Sequence, residues 1–168
     1  MKVAFLDRDG TIVKDYPDDA WNGRVEPEFL PRAIEGMKLL REKGYEIVIL
    51  TNQYLIGEGR YSLEDYKLYT AHMQQILSES GVGALDIKFC PHSRHDHCEC
   101  MKPHPGMIDD VLSMYHDIEI EKSILVGDAA SDIELGRHFG IHTFGINTES
   151  DYENHKMVTS LYDAANTV

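Results

Sequence analysis

The sequence predicts an α/β fold: a doubly wound, mainly parallel, Rossmann-like sheet with helices on both faces and no separate cap domain. Three observations carry that expectation. Short apolar or β-branched runs (Val3 to Leu6, Tyr45 to Leu50, Leu85 to Phe89, Ser123 to Val126, Ile141 to Ile146) alternate with segments whose apolar residues recur every three to four positions. Strands separated by helices pair in parallel through right-handed crossovers, which cover both sheet faces. Finally, the chain leaves successive strands through polar clusters, which topology collects on the carboxyl edge where open α/β sheets bind ligands.

Taken in order, Val3-Ala4-Phe5-Leu6 is a buried strand that delivers Asp7 and Asp9 into a turn at Gly10. Residues 14 to 29 mix Asp, Pro, Gly and aromatics without periodicity and read as a long loop beside the crevice. Pro31 suits a first helical position, and Ala33, Ile34, Met37 and Leu40 give one apolar face until Gly44 ends the helix. The next strand exits at Thr51-Asn52-Gln53. Ser62 to Asp65 reads as a capping box, opening a helix with Tyr66, Tyr69, Met73 and Ile76 inward. Beyond the third strand a Cys and His loop leads to Lys102, whose following Pro103 favours an extended backbone, and Pro105 opens a helix with Met107, Ile108, Val111, Leu112 and Tyr115 inward. The fourth strand exits at Gly127-Asp128, and a helix through Phe139 leads to the last strand. The tail beyond Glu149 is weakly patterned, with a short helix expected near Leu161.

A chain of 168 residues, 42% hydrophobic and 27% charged, suffices for a single domain over 1–168. A net charge of −13 repels nucleic acid and anionic membranes, so a bound phosphate must meet a local cation. The first strand begins too near Met1 to leave room for a leader, and no apolar run approaches membrane-spanning length, so a cytoplasmic protein is expected. Oligomeric state is not encoded in any legible pattern.

Two carboxylates two residues apart repel each other unless a divalent cation or a shared proton relieves them. Asp-Gly alone is ordinary turn chemistry. Four strand exits bearing Asp7 and Asp9, Thr51 and Asn52, Lys102, and Asp128 with Asp132 are harder to read as turns. All three cysteines sit in one short stretch: Cys90, His92, Cys98 and Cys100 make a Cys3His set that fits closed, tetrahedral, structural zinc, with His95 and His97 as competing ligands. Zinc there would hold the loop that presents Lys102.

The run Asp7-Arg8-Asp9-Gly10-Thr11, then Thr51-Asn52, Lys102, and Gly127-Asp128 through Asp132, resembles the four motifs of the haloacid dehalogenase-like superfamily, in order and along essentially the whole chain. The resemblance implies a phosphatase with Asp7 as nucleophile, forming an aspartyl phosphate, and Asp9 as general acid and then base. It implies Mg²⁺ on the Asp7 carboxylate, the Asp9 carbonyl and Asp128. Thr51, the backbone near Asn52, and Lys102 would surround the transferring oxygens. Asp132 would be a helix cap or would orient the lysine.

Cys-x-His followed by Cys-x-Cys-x-Lys-Pro-x-Pro-Gly-Met resembles, more narrowly, the heptose-bisphosphate and histidinol-phosphate phosphatase group, as do Thr51-Asn52-Gln53 and the run at Gly57 to Tyr61. Two positions depart from that group: Met101 where arginine is usual and Ala129 where a basic residue is common. Gln53 and Arg60 are the expected substrate contacts, with Arg24 and Lys14 as further cations. The resemblance thus implies a small phosphate ester as partner, D-glycero-D-manno-heptose 1,7-bisphosphate first, with histidinol phosphate or another sugar monophosphate as the alternative. Two readings of another class remain: a phospho-aspartate receiver module, and a zinc-loop binding module.

Overall fold

The computed structural model describes all residues, 1–168. Its strands are β1 (Lys2–Leu6), β2 (Tyr45–Asn52), β3 (Asp86–Cys90), β4 (Ile124–Gly127), β5 (His142–Ile146) and β6 (His155–Val158). The helices are α1 (Ala33–Glu42), α2 (Tyr54–Gly57), α3 (Leu63–Glu79), α4 (Gly106–Met114), α5 (Ala130–Phe139) and α6 (Leu161–Thr167). The strands form one all-parallel sheet in the order β3-β2-β1-β4-β5-β6. The order reverses direction at β1, so the chain's first strand exit lies at the switch point where such sheets form their ligand crevice.

Two apolar layers sandwich the sheet, as its two-sided hydrophobicity requires. On one face Met37 and Leu40 of α1, Tyr69, Met73 and Leu77 of α3, and Leu161 and Ala164 of α6 pack on Ala4, Leu6, Ile47 and Ile49. On the other, Met107, Ile108 and Val111 of α4 and Leu135 of α5 pack on Val3, Phe5, Val48 and Leu50. Alternate residues of β1 thus feed opposite layers, the period-two rule at work. No helix is long and apolar enough to cross a membrane.

Several boundaries differ from the sequence expectation. α1 starts at Ala33 rather than Pro31, because Arg32 adopts a left-handed φ of 59° at the N-cap. Leu77 rather than Ile76 completes the buried stripe of α3, while Ser62 Oγ accepts from the Asp65 amide at 3.0 Å as a cap. In α4, Leu112 is only half-buried. The tail holds an unforeseen strand, β6, before the expected helix α6.

Candidate active site

Asp7 leaves β1 with its amide still bonded to the Val126 carbonyl at 2.9 Å, so the nucleophile candidate is fixed by the sheet ladder itself. One of its oxygens accepts from Lys102 Nζ at 2.7 Å, and the other from Thr11 Oγ1 at 3.1 Å. Gly10 makes the turn possible: its φ is +87°, and a Cβ there would fall inside the Asp128 carboxylate.

Lys102 is buried, and its ammonium meets three acceptors: Asp7 Oδ1 and Asp132 Oδ1, each at 2.7 Å, and the Leu50 carbonyl at 2.9 Å. Burial pulls its pKa down, but the charges of Asp132 and Asp7 outweigh this and hold it above the ordinary value. Asn52 grips the lysine's backbone, donating to its carbonyl at 3.2 Å and accepting from its amide at 2.9 Å. The Asn52 side chain therefore anchors the Lys102 segment. Asp132 does both things weighed for it: Oδ2 accepts from the Ala129 amide at the start of α5, while Oδ1 orients the lysine.

Asp7, Asp128 and Asp132 bring carboxylate oxygens within 4.8 Å of one another. Burial first, then the charges of Asp7 and Asp132, push Asp128 up to about 7. Asp132 rises to about 6, chiefly through burial. Carboxylates so crowded, with one ammonium among them, fit a hard divalent cation, which takes oxygen donors and cancels the repulsion.

Asp9 lies beside this cluster and lines the same cavity. Its Oδ1 and Oδ2 accept from Arg8 Nε at 2.9 Å and Nη2 at 3.0 Å, and Oδ2 also accepts from Gln53 Nε2 at 3.0 Å. Gln53 Nε2 reaches Thr51 Oγ1 as well, at 2.8 Å. Burial raises the pKa of Asp9 against the lowering pull of Arg8, the direction a proton donor needs. Neither Arg8 nor Thr11 emerged from the sequence as a site residue.

The cavity, about 180 Å³, is lined by six carboxylates (Asp7, Asp9, Asp15, Asp18, Asp128, Asp132) and one cation, Lys102. The loop of residues 14 to 29 supplies Asp15, Asp18 and Trp21 to its mouth, as expected of a loop beside the crevice. Arg60 does not line the cavity; it pairs with Asp18, which does, at 3.6 Å. Arg24 stacks on Tyr16 and Lys14 pairs with Glu28, so both are engaged with their own loop.

The thiols of Cys90, Cys98 and Cys100 and Nδ1 of His92 lie within 4.8 Å of one another, with adjacent pairs at 2.9–3.8 Å. Four donors at ~2.0–2.3 Å from one tetrahedral ion would stand at about such separations. Burial raises Cys98, but hydrogen bonds from the Met101 backbone and the neighbouring thiols bring it down to about 7, giving thiolate character at neutral pH. His95 and His97 lie outside this group. α2 presses on the loop through Gly57, where a Cβ would collide with the Ser93 amide and sit 2.7 Å from the Pro91 carbonyl.

Residues 2–163 match the family described as polynucleotide kinase 3 phosphatase. The chain belongs to this family of haloacid dehalogenase-like phosphatases. As a member it is a phosphoric monoester hydrolase, and the receiver and zinc-module readings give way. It is 44% identical over 149 residues to the D-glycero-alpha-D-manno-heptose-1,7-bisphosphate 7-phosphatase of Photorhabdus laumondii, covering 84% of this chain and 79% of that protein. The corresponding Mycobacterium tuberculosis protein is 39% identical over 134 residues, covering 80% of this chain and 70% of its own length. Among solved structures, the D,D-heptose 1,7-bisphosphate phosphatase from B. bronchiseptica, complexed with magnesium and phosphate, superposes with a TM-score of 0.85 at 25% identity over 99% of this chain and 97% of that one. The same enzyme from Burkholderia thailandensis, at 22% identity and a TM-score of 0.72, covering 99% and 97% of the two chains, shares the fold.

Proposed function

We propose that this phosphatase hydrolyses a small phosphate ester through an aspartyl phosphate on Asp7, with D-glycero-D-manno-heptose 1,7-bisphosphate as its first-ranked substrate. The observation that carries the reading is the convergence of Asp7, Lys102, and Asp128 with Asp132, from three separate segments, on one cavity. The 44% identical relative supports the choice of sugar, and the magnesium and phosphate in the B. bronchiseptica enzyme support the metal.

In this reading Thr11 and Lys102 fix the plane of the Asp7 carboxylate, whose oxygen attacks phosphorus. The Lys102 ammonium, the Thr51 hydroxyl and the backbone near Asn52 face the transferring oxygens and offset charge that six acids would otherwise repel. Asp9 gives a proton to the departing alcohol and then takes one from the water that releases phosphate. Mg²⁺ held by Asp7, the Asp9 carbonyl and Asp128 would supply Lewis-acid neutralisation of the phosphoryl oxygens. Zinc held by Cys90, His92, Cys98 and Cys100 would fix the loop that ends at Lys102. Gln53 and Arg60 are the proposed substrate contacts, a reading supported for Gln53 by its place in the cavity lining and for Arg60 only by its pairing with the lining residue Asp18.

A second reading, a monophosphate such as histidinol phosphate, is favoured by one specific feature: Lys102 is the only cation lining the cavity, and Ala129 stands where a basic residue would meet a second phosphate. Missing charge-assisted hydrogen bonds of that kind are worth ~1.5–3 kcal/mol each. The family's description names polynucleotides, but a net charge of −13 and an acidic mouth disfavour a polyanion, which supports a small-molecule substrate. The test is phosphate release with Mg²⁺ across heptose 1,7-bisphosphate, sugar monophosphates, histidinol phosphate and a 3′-phosphorylated oligonucleotide. The bisphosphate should give the highest kcat/KM. A higher value for a monophosphate selects the second reading, and no release from any ester overturns both.

A further inference from the structure

Arg8 is the largest fully buried side chain in the protein, and nothing in the proposed chemistry uses it. Its guanidinium sits in an aromatic box, with its Cζ 4.6 Å from the Tyr69 ring centroid, 5.5 Å from Tyr66 and 5.6 Å from Trp21. Only one carboxylate meets it, Asp9, and it does so as a two-pronged fork. Its third nitrogen, Nη1, is buried with no partner. A side chain placed here only to fill space would be apolar, since a guanidinium taken out of water with a donor left unpaired is costly and an apolar replacement of similar volume is often neutral or better. The position is explained by what the fork does to Asp9.

An ionised carboxylate offers about four lone-pair positions. Arg8 takes one on each oxygen and Gln53 takes another on Oδ2, so the remaining acceptor position belongs to Oδ1 of a side chain that lines the cavity. We infer that Arg8 is a positioning residue: gripped by Trp21, Tyr66 and Tyr69, its fork leaves that one Oδ1 position to carry the acid's proton and sets the direction in which Asp9 presents this proton to the departing alcohol. Trp21 belongs to the loop of residues 14 to 29 and lines the cavity, so the seating of that loop and the aim of Asp9 run through one guanidinium. A carboxyl that can rotate about its side-chain bonds spends little time within the ~0.5 Å and 10–20° that proton transfer demands.

The inference rests on Asp9 being the proton donor, and its test separates the two. kcat/KM is measured with Mg²⁺ for p-nitrophenyl phosphate, whose leaving group needs little protonation, and for an alkyl phosphate, whose leaving group needs much. This parameter stops at phosphoryl transfer, so later hydrolysis of the intermediate does not enter. Asp9→Asn should lose at least ~10²-fold more on the alkyl ester than on the aryl ester. Arg8→Met, which fills the box without a charge, and Arg8→Lys, which keeps the charge without the fork, should both show the same selective loss, at least ~10-fold. Circular dichroism and melting curves report whether each variant is folded, and Arg8→Lys carries the test if Arg8→Met is not. A purely structural role would lower both substrates by one common factor. A selective loss in Asp9→Asn beside equal losses, or none, in Arg8→Lys overturns the Arg8 inference alone. No selectivity in Asp9→Asn overturns the proton-donor assignment and the inference with it.

Discussion

Replacing Lys102 with methionine keeps the length of the side chain and removes its charge from a site where Asp7 and Asp132 each stand 2.7 Å from the ammonium. Both carboxylates are buried, so the variant leaves them without their cation. Breaking a buried pair from one side costs ~3–5 kcal/mol, most of it the penalty on the charge left behind. For a chain of this size that corresponds to a fall in Tm of roughly 6–20 °C. Turnover should fall separately by ~10²–10³, because a preorganised cation is lost from the transferring oxygens. Urea unfolding and thermal melts measure the first effect, and phosphate release with Mg²⁺ measures the second. The double variant Lys102→Met/Asp132→Asn removes one stranded charge and should recover at least ~1 kcal/mol of stability with no recovery of activity. A single variant within ~1 kcal/mol of the parent, or an active double variant, would refute the assignment of Lys102 as an electrostatic centre for both fold and chemistry.

The metal sites give two more tests. Cys98→Ala should reduce bound zinc, measured by elemental analysis after purification without chelator, and lower both Tm and activity together, because the loop it helps close ends at Lys102; an unchanged zinc content would remove the metal from this loop. For the carboxylate cluster, Asp128 and Asp132 in the metal-free protein are raised to about 7 and about 6 from 3.8. Their protonated forms favour the fold, so this contribution is complete below the unfolded value and disappears as pH rises through 6 to 7. Metal-free protein should therefore lose Tm between pH 5.5 and 8, and Mg²⁺ should raise Tm more at pH 8 than at pH 5.5. Equal increments at the two pH values would contradict a cation site at these residues.

Much of the site was legible because strand exits obey topology. Asp7 and Asp128 directly follow apolar runs that read as buried strands, Lys102 closes the loop that leaves β3, and a parallel sheet gathers such exits on one edge. The three cysteines were legible from spacing, which left His92, His95 and His97 open, and the structure brings His92 to them. What stayed hidden depends on partners far away in sequence. Arg8, flanked by two acids, reads as a solvated charge, and its burial exists only because residues 21, 66 and 69 bring three rings to it. Thr11 entered the resemblance motif with no role of its own, and only the turn at Gly10 brings its hydroxyl onto Asp7. Strand β6 was missed because an edge strand needs little pattern: of His155-Lys156-Met157-Val158 only Val158 is buried. The expectation for Asn52 concerned its backbone; that its side chain clamps the backbone of Lys102, 50 residues away, is a long-range contact no local pattern shows.

Catalysis through Asp7 requires a covalent bond from phosphorus to that one side chain. Brief reaction with a ³²P-labelled ester and Mg²⁺, followed by acid quench, proteolysis and mapping of the label, tests it directly. Label should reside on the peptide containing Asp7, be released by hydroxylamine as an acyl phosphate is, and vanish in Asp7→Asn. Phosphate release at the parent rate by Asp7→Asn, or label carried by any other residue, would contradict it.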